Sequence, residues 1–258
     1  MDQASKARSF KALHVKSDPV ILYNVWDAGT AKTVQSAGAR AIATGSWPVA
    51  AAHGVEDGEK IPLEVMLSNL QRIVCAVDLP VTADIEGGYG VSPEIVSQTV
   101  ERVMRTGAVG FNFEDQIIGG EGLHDIDIQV RRIAAARHAA DRHGNDVFLN
   151  ARTDMFLKSK PADHSPKMLE DALARAREYA RAGANGFFAP GLIDKKLIAR
   201  LCDYSPVPVN ILALPSAPEA SELAGLGVAR ISYGPVPYRK MAAWFEQQAR
   251  AAIHYRQG

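Results

Sequence analysis

Cysteine is close to absent: Cys75 and Cys202 are the only two in 258 residues. Such a pair makes neither a disulfide framework nor a spaced thiolate metal site. Both are expected to be small buried apolar residues near helix ends. Neither sign of charge is in excess, with 29 Lys and Arg against 29 Asp and Glu, so nothing points to nucleic acid, a membrane surface or a polyanion as partner. No apolar run approaches the roughly 20 residues that cross a bilayer. The opening residues, MDQASKARSF, carry charges and lack the apolar stretch of a secretory signal; a cytoplasmic location is expected. No G-x-G-x-x-G follows the first apolar segment, which argues against an open dinucleotide-binding sheet.

What the chain does have is a weak internal repeat. SAGARAIATG, RTGAVGFNFED, RAGANGFFAPG and GLGVARISYG share one shape: helix end, glycine, small residue, short apolar strand. Gly38, Gly107, Gly183 and Gly227 read as left-handed helix-terminating residues that turn the chain straight into a strand. Further strands are announced by proline in PVTADIE and PVPVNILA. The eight expected strands are ILYNVW, AIATG, VTADIE, GFNFED, FLNART, GFFAP, PVNILA and ARISYG. Amphipathic helices such as SPEIVSQTVERVMRTG lie between most of them. Eight strands alternating with helices in about 250 residues is the arithmetic of a (β/α)8 TIM barrel. No linker or composition break is visible, so residues 1–258 are expected to form one domain of α/β class. A helix over residues 3–16 should precede the barrel, and VPYRKMAAWFEQQARAAIHYR should close it.

Chemistry in such a barrel belongs at the C-terminal strand ends, and polar residues collect there. In VTADIE, strand alternation puts Thr82, Asp84 and Glu86 on one face. Asn112 and Glu114 share a face of the fourth strand, and Asn150, Arg152 and Asp154 a face of the fifth. The loop after the second strand, TGSWPVAAAHGVEDGE, leads to Asp57. Carboxylates placed side by side in a sheltered site repel one another and need a cation. An oxygen-rich set without histidine or cysteine suits Mg2+ or Mn2+ rather than zinc. Asp115 and Asp154 have a simpler reading as helix N-caps. Of the histidines, only His53 and His124 sit in loops that follow strands and are candidates for catalysis; His138, His143, His164 and His254 read as solvated.

These motifs resemble the isocitrate lyase/phosphoenolpyruvate mutase superfamily. ATGSWPVAAAHGVED, TADIEGGYG, GFNFEDQ and NARTD occur in the expected order along nearly the whole chain. The resemblance implies a modified TIM barrel whose C-terminal helix is exchanged between subunits of a homodimer or homotetramer. It implies Mg2+ bound directly at Asp84, with Glu86, Glu114 and Asp57 acting mostly through waters. It also implies that Arg152, with Asn150 beside it, and the backbone N–H groups around Gly45, Ser46 and Trp47 hold a small anionic carboxylate or phosphonate substrate. Asp57, Arg152 and His124 are the catalytic candidates. Family chemistry runs through an enolpyruvate-like oxyanion while a C–C or C–P bond is made or broken, in lyases, decarboxylases or hydrolases and phosphonomutases.

The chain departs from both main branches. The lyase branch carries a Lys/Arg-Cys-Gly-His motif after strand four, and the mutase branch a lysine-threonine-asparagine group. Here the loop reads QIIGGEGLHD, with Gly122 near the cysteine position. Its glycines suggest a lid. At the end of strand six, where lyases have glutamate and phosphonomutases histidine, this chain has Pro190. A catalytically retired metabolite-binding barrel is the reading of a different class.

Overall fold

The computed structural model describes residues 1–143 and 146–254. All eight expected strands are present and parallel, in the order β1-β8-β7-β6-β5-β4-β3-β2. They are β1 Val20–Leu22, β2 Ile42–Ala43, β3 Val81–Asp84, β4 Gly110–Glu114, β5 Phe148–Arg152, β6 Gly186–Phe188, β7 Val209–Leu212 and β8 Arg230–Ser232. A bridge between Val25 and Thr44 closes the ring between the first and second strands, where the Val25 N–H donates to Ala43 O at 2.9 Å. The result is the (β/α)8 barrel that the strand count predicts.

The four repeat glycines adopt the left-handed conformation, with φ between 90° and 107°. Each ends a helix and releases the chain into β2, β4, β6 or β8, so one local device sets the alternation four times. Surrounding helices include α2 Ala28–Ser36, α3 Ser46–Ala52, α4 Leu63–Ala76, α5 Pro93–Arg105, α6 Ile126–Asp141, α7 Pro166–Arg181, α8 Lys195–Tyr204 and α9 Ala220–Gly225. The α5 helix shows how the sequence fixes one of them. Ser92 caps its N-terminus by accepting from the Ile95 N–H, Pro93 opens the first turn, and Val96, Val100, Val103 and Met104 form the buried stripe.

Two apolar clusters result. The larger fills the space between sheet and helices. The smaller joins Ala7 and Phe10 of the leading helix α1 (Gln3–Ala12) to Val20, Leu22, Ala43 and Phe148. It plugs the N-terminal mouth of the barrel. His14 extends that plug, its ring stacked on Phe148 at 3.8 Å and its Nδ1 bonded to Phe10 O at 2.9 Å. Burial, aided by Arg230, pushes the His14 pKa down to about 3, so the imidazole is neutral in the fold.

Two expectations need correction. Strand β3 stops at Asp84, because Glu86 takes a left-handed backbone (φ 50°) and breaks the alternation that would have set it beside Asp84. Cys202 is buried as expected, but Cys75 is exposed. The closing helix α10, Val236–Ile253, buries only Val236 and Pro237; Met241, Trp244, Phe245 and Ile253 are exposed along it. No described helix is long and apolar enough to cross a membrane.

Candidate active site

A cavity of about 340 Å³ opens at the C-terminal ends of the strands. Asp84, the last residue of β3, forms part of its wall. Two backbone donors orient that carboxylate: Glu86 N–H to Oδ1 at 3.3 Å and Ser46 N–H to Oδ2 at 3.4 Å. The Asp84 N–H in turn donates to Thr44 Oγ1 at 3.0 Å. Strands β2 and β3 thereby fix the carboxylate before anything binds.

Glu86 behaves differently from the expectation. Its Oε2 accepts from the Gly58 and Glu59 N–H groups, both at 2.8 Å, and Glu59 Oε1 accepts from the Tyr89 N–H at 2.7 Å. The VEDGE loop and the EGGYG turn are thus clamped together by reciprocal carboxylate–backbone bonds. Gly58 and Glu59 have φ of 95° and 59°, the left-handed geometry that points successive N–H groups at one anion. This clamp holds Asp57 at the cavity wall next to Asp84 and Ser46. Glu86 itself faces a smaller side cavity shared with Asp84, Ser46 and Tyr89.

On the other flank, Arg152 ends β5. Its Nη1 lies 2.9 Å from Glu114 Oε2 and 3.9 Å from Asp84 Oδ2, and its Nε donates to Asp154 Oδ1 at 2.8 Å. Burial alone would lower its pKa, but Asp154, Glu114 and Asp84 outweigh burial and raise it; the guanidinium is always charged. Asp154 is therefore an arginine partner and not a helix cap. Asp115 is not a cap either. Its carboxylate accepts from Tyr179 OH at 2.8 Å, Arg175 Nη1 at 3.1 Å and the Asp154 N–H at 3.0 Å, an arrangement that locks the ends of β4 and β5 together.

The carboxylates are short of positive charge. Burial first, then Asp57 and Asp84, push the Glu86 pKa up to about 8. Burial raises Glu114 as well, against the pull of Arg152. Asp57 is exposed at the cavity rim, yet crowding away from solvent and the neighbouring Asp84 still raise its pKa. Arg152 is already paired with Asp154, so Asp57, Asp84, Glu86 and Glu114 outnumber the positive charge at the site. A divalent cation would relieve them, and the all-oxygen donor set suits Mg2+. Among the described residues, no three Asp, Glu, His or Cys side chains converge to enclose a metal by themselves. The fit is to an ion that keeps several waters, held directly by one or two carboxylates, which is the habit of Mg2+.

Of the residues expected at the site, Gly45, Ser46, Trp47, Asp57, Asp84 and Arg152 line the cavity. Glu86 and Glu114 stand behind it. Asn150 does not line it; it is buried in the barrel and donates from Nδ2 to Asn112 Oδ1 at 2.9 Å. His124 does not line it either. It is buried in the loop after β4, where its N–H donates to Asp115 O and its own carbonyl accepts from Arg175. Burial and the nearby Arg132 and Arg175 lower its pKa. His53 is exposed at the end of α3, bonded through Nδ1 to Val49 O. The loop QIIGGEGLHD closes on itself through a Gln116–Leu123 bridge and contributes no lining residue.

Several lining residues carry no recognisable motif. Asn24 clasps three loops, accepting from the Tyr233 and Gly234 N–H groups and donating to Thr44 O. Arg239 places its guanidinium 4.5 Å from the Trp47 ring centroid at the rim. Asn112 faces the cavity with its Oδ1 already occupied by Asn150 Nδ2 and Arg230 Nη2, both at 2.9 Å. Two donors on its oxygen leave its NH2 group for the cavity.

Comparisons with known proteins agree with this geometry. Residues 10–253 match the model of the family described as phosphoenolpyruvate phosphomutase. A crystal structure from Burkholderia cenocepacia J2315, provisionally described as a phosphonomutase, superposes with a TM-score of 0.92 at 48% identity, covering 99% of this chain and 100% of that one. An uncharacterised Mycobacterium tuberculosis protein is 33% identical over 230 residues, 89% of this chain and 83% of its own length. The 2-methylisocitrate lyase of Salmonella typhimurium is 28% identical over 253 residues, 93% of this chain and 82% of its own length. With the barrel, the strand-end acids and a match over nearly its full length, the chain belongs to the phosphoenolpyruvate phosphomutase family, within the isocitrate lyase/phosphoenolpyruvate mutase superfamily.

Proposed function

We propose that this protein is a Mg2+-dependent enzyme that cleaves a C–C bond of a small 2-oxo carboxylate, by lyase, decarboxylase or hydrolase chemistry. The observation that carries the reading is the preoriented Asp84 carboxylate, set between Ser46 and Arg152 and backed by three further acids whose pKa values are raised. Mg2+, held directly at Asp84 and through waters by Asp57, Glu86 and Glu114, would supply positive charge where an enolate-like oxyanion develops. The protein's own groups do the rest. Arg152 donates from its permanently charged fork to a substrate carboxylate; no hydrogen bond from its Nη2 is made among the described residues. The Asn112 NH2 and the backbone opening at Gly45, Ser46 and Trp47 hold other oxygens. With no cysteine or histidine lining the cavity, Asp57 is the group placed to give or take the proton.

Chelation should abolish turnover and Mg2+ or Mn2+ restore it, and Asp84→Ala should lose metal binding most severely. Calorimetry of oxalate with and without Mg2+ tests the site directly. Mg2+-independent oxalate binding, or full activity after exhaustive chelation, would remove the reading. A phosphonomutase is the second reading, favoured by the 48%-identical relative; phosphorus NMR of phosphonopyruvate with the enzyme separates the two. The exposed apolar residues of α10 support assembly into a homodimer or homotetramer through that helix. Sedimentation as a monomer at micromolar concentration would contradict it.

A further inference from the structure

The cavity floor rests on a buried arginine. Arg230 of β8 is 1% exposed, and its side-chain hydrogen bonds go to two neutral groups rather than to an acid. Nη2 donates to Asn112 Oδ1 at 2.9 Å and Nε to Ser232 Oγ at 3.4 Å. Asn112 and Ser232 both line the cavity, and Asn112 is the register partner of Asp84 on the neighbouring strand. A side-chain amide can turn over and exchange its oxygen for its NH2 unless a partner forbids it. Arginine is such a partner, because it only donates; the Asn112 atom beside Nη2 must be the oxygen. Asn150 Nδ2 takes the second acceptor position at 2.9 Å. Its amide fits there because Gly186, its register partner on β6, carries no side chain. The Asn112 NH2 is left to face the cavity.

We infer that Arg230 is a positioning residue for the reaction: acting through Asn112, it fixes an N–H donor in the cavity floor and strengthens it toward the oxyanion that develops beside Asp84. This rests on the proposed 2-oxo acid site and adds to it a donor from beneath. The guanidinium draws electron density toward Oδ1, which makes the opposite N–H the better donor. A preoriented donor of this kind favours the charged enolate over the neutral ketone that precedes it. An arginine that only fills the barrel would make no such distinction.

The experiment is calorimetry in Mg2+ with two probes: oxalate, whose oxygens carry charge as an enolate's does, and pyruvate, whose keto oxygen is neutral. Arg230→Met should weaken oxalate binding by about tenfold or more, the scale of one hydrogen bond to a charged group, and pyruvate binding by less than about threefold. Its Tm should not fall below that of the wild type. Arg230→Lys keeps a donor for Asn112 Oδ1 and should hold oxalate within about threefold of the wild type. Asn112→Leu should match Arg230→Met, and the double variant should bind oxalate no more weakly than either single one, because the arginine acts through the amide. Unchanged oxalate affinity in Arg230→Met, equal losses for the two probes, or losses that add in the double variant would overturn this inference alone. If Asn112→Leu does not fold, methionine and lysine at position 230 decide: equal oxalate losses overturn the inference, and recovery with lysine alone upholds it. Absence of Mg2+-dependent oxalate binding in the unmodified protein would overturn the parent reading and this one with it.

Discussion

Arg152→Lys is the substitution that asks most of the site. The arginine reaches Glu114 at 2.9 Å and Asp154 at 2.8 Å through different nitrogens, with Asp84 at 3.9 Å. The carboxylates are almost entirely buried, with side-chain exposures of 4% for Glu114 and 1% for Asp154. Lysine keeps the charge on a single nitrogen and cannot bridge both partners. One acid is then left unpaired in a sheltered place, a change that costs about 3–5 kcal/mol when a buried pair is broken outright. Because lysine retains one partner, the lower end applies. For a chain of this length about 3 kcal/mol corresponds to a fall in Tm of roughly 6–12 °C. Saturating Mg2+ should raise the variant's Tm by more than the wild type's, since the cation offsets part of the exposed negative charge. Oxalate binding should weaken at least tenfold, because the fork that holds a carboxylate is gone. Thermal melts with and without Mg2+, paired with oxalate calorimetry, read all three. A Tm within about 2 °C of wild type would refute the account of Arg152 as the strut between the acids. A large fall with unaltered oxalate affinity would make it scaffold only.

Two further perturbations test the barrel interior. His14 is neutral in the fold with a pKa of about 3, whereas the unfolded chain takes up the proton near pH 6.5; stability is therefore intact above pH 6.5 and lost as pH falls toward 3, by about 2 kcal/mol at pH 5. His14→Leu should flatten that part of the stability–pH curve in urea titrations, and an unchanged slope would show that His14 is not the cause. Arg230 is fully buried, makes no ion pair with a carboxylate among the described residues, and leaves Nη1 without a partner; burial pushes its pKa down to about 9. Arg230→Met should raise the Tm, because it removes a buried charge that has no acidic partner, and weaken oxalate binding by freeing Asn112; a lower Tm would sink that expectation.

The fold was legible because its signals are local. Gly38, Gly107, Gly183 and Gly227 each need φ near +90°, and a glycine at a helix end followed by an apolar run states that need in the sequence itself. The strand-end acids were legible for a related reason: period-two alternation locates a side chain as long as the strand continues. Glu86 marks where that rule stops. It lies two residues past Asp84, so alternation put both on one face. Its backbone is left-handed, and its carboxylate is held by N–H groups from Gly58 and Glu59, nearly thirty positions earlier. No local pattern encodes a bond across that separation. His124 fails for the same reason, because its position is fixed by Asp115 and Arg175 rather than by its own loop.

The interior network lies furthest from sequence reading. ARISYG reads as an ordinary apolar strand, and nothing in it says that Arg230 points inward. Its position makes sense only with Asn112, whose oxygen it shares with Asn150, and with Gly186. There a Cβ would approach Asn150 Oδ1 to 2.7 Å, so the absence of a side chain on β6 makes room for an amide from β5. Four strands thus combine to present one NH2 group upward. A buried guanidinium that pairs with no acid is costly, and sequences that tolerate such a cost do so most readily at functional sites. The expense falls directly beneath the acids that need positive charge, with Asp84 the carboxylate that Arg230 senses. The barrel therefore contributes charge from below and fixed donors at the wall.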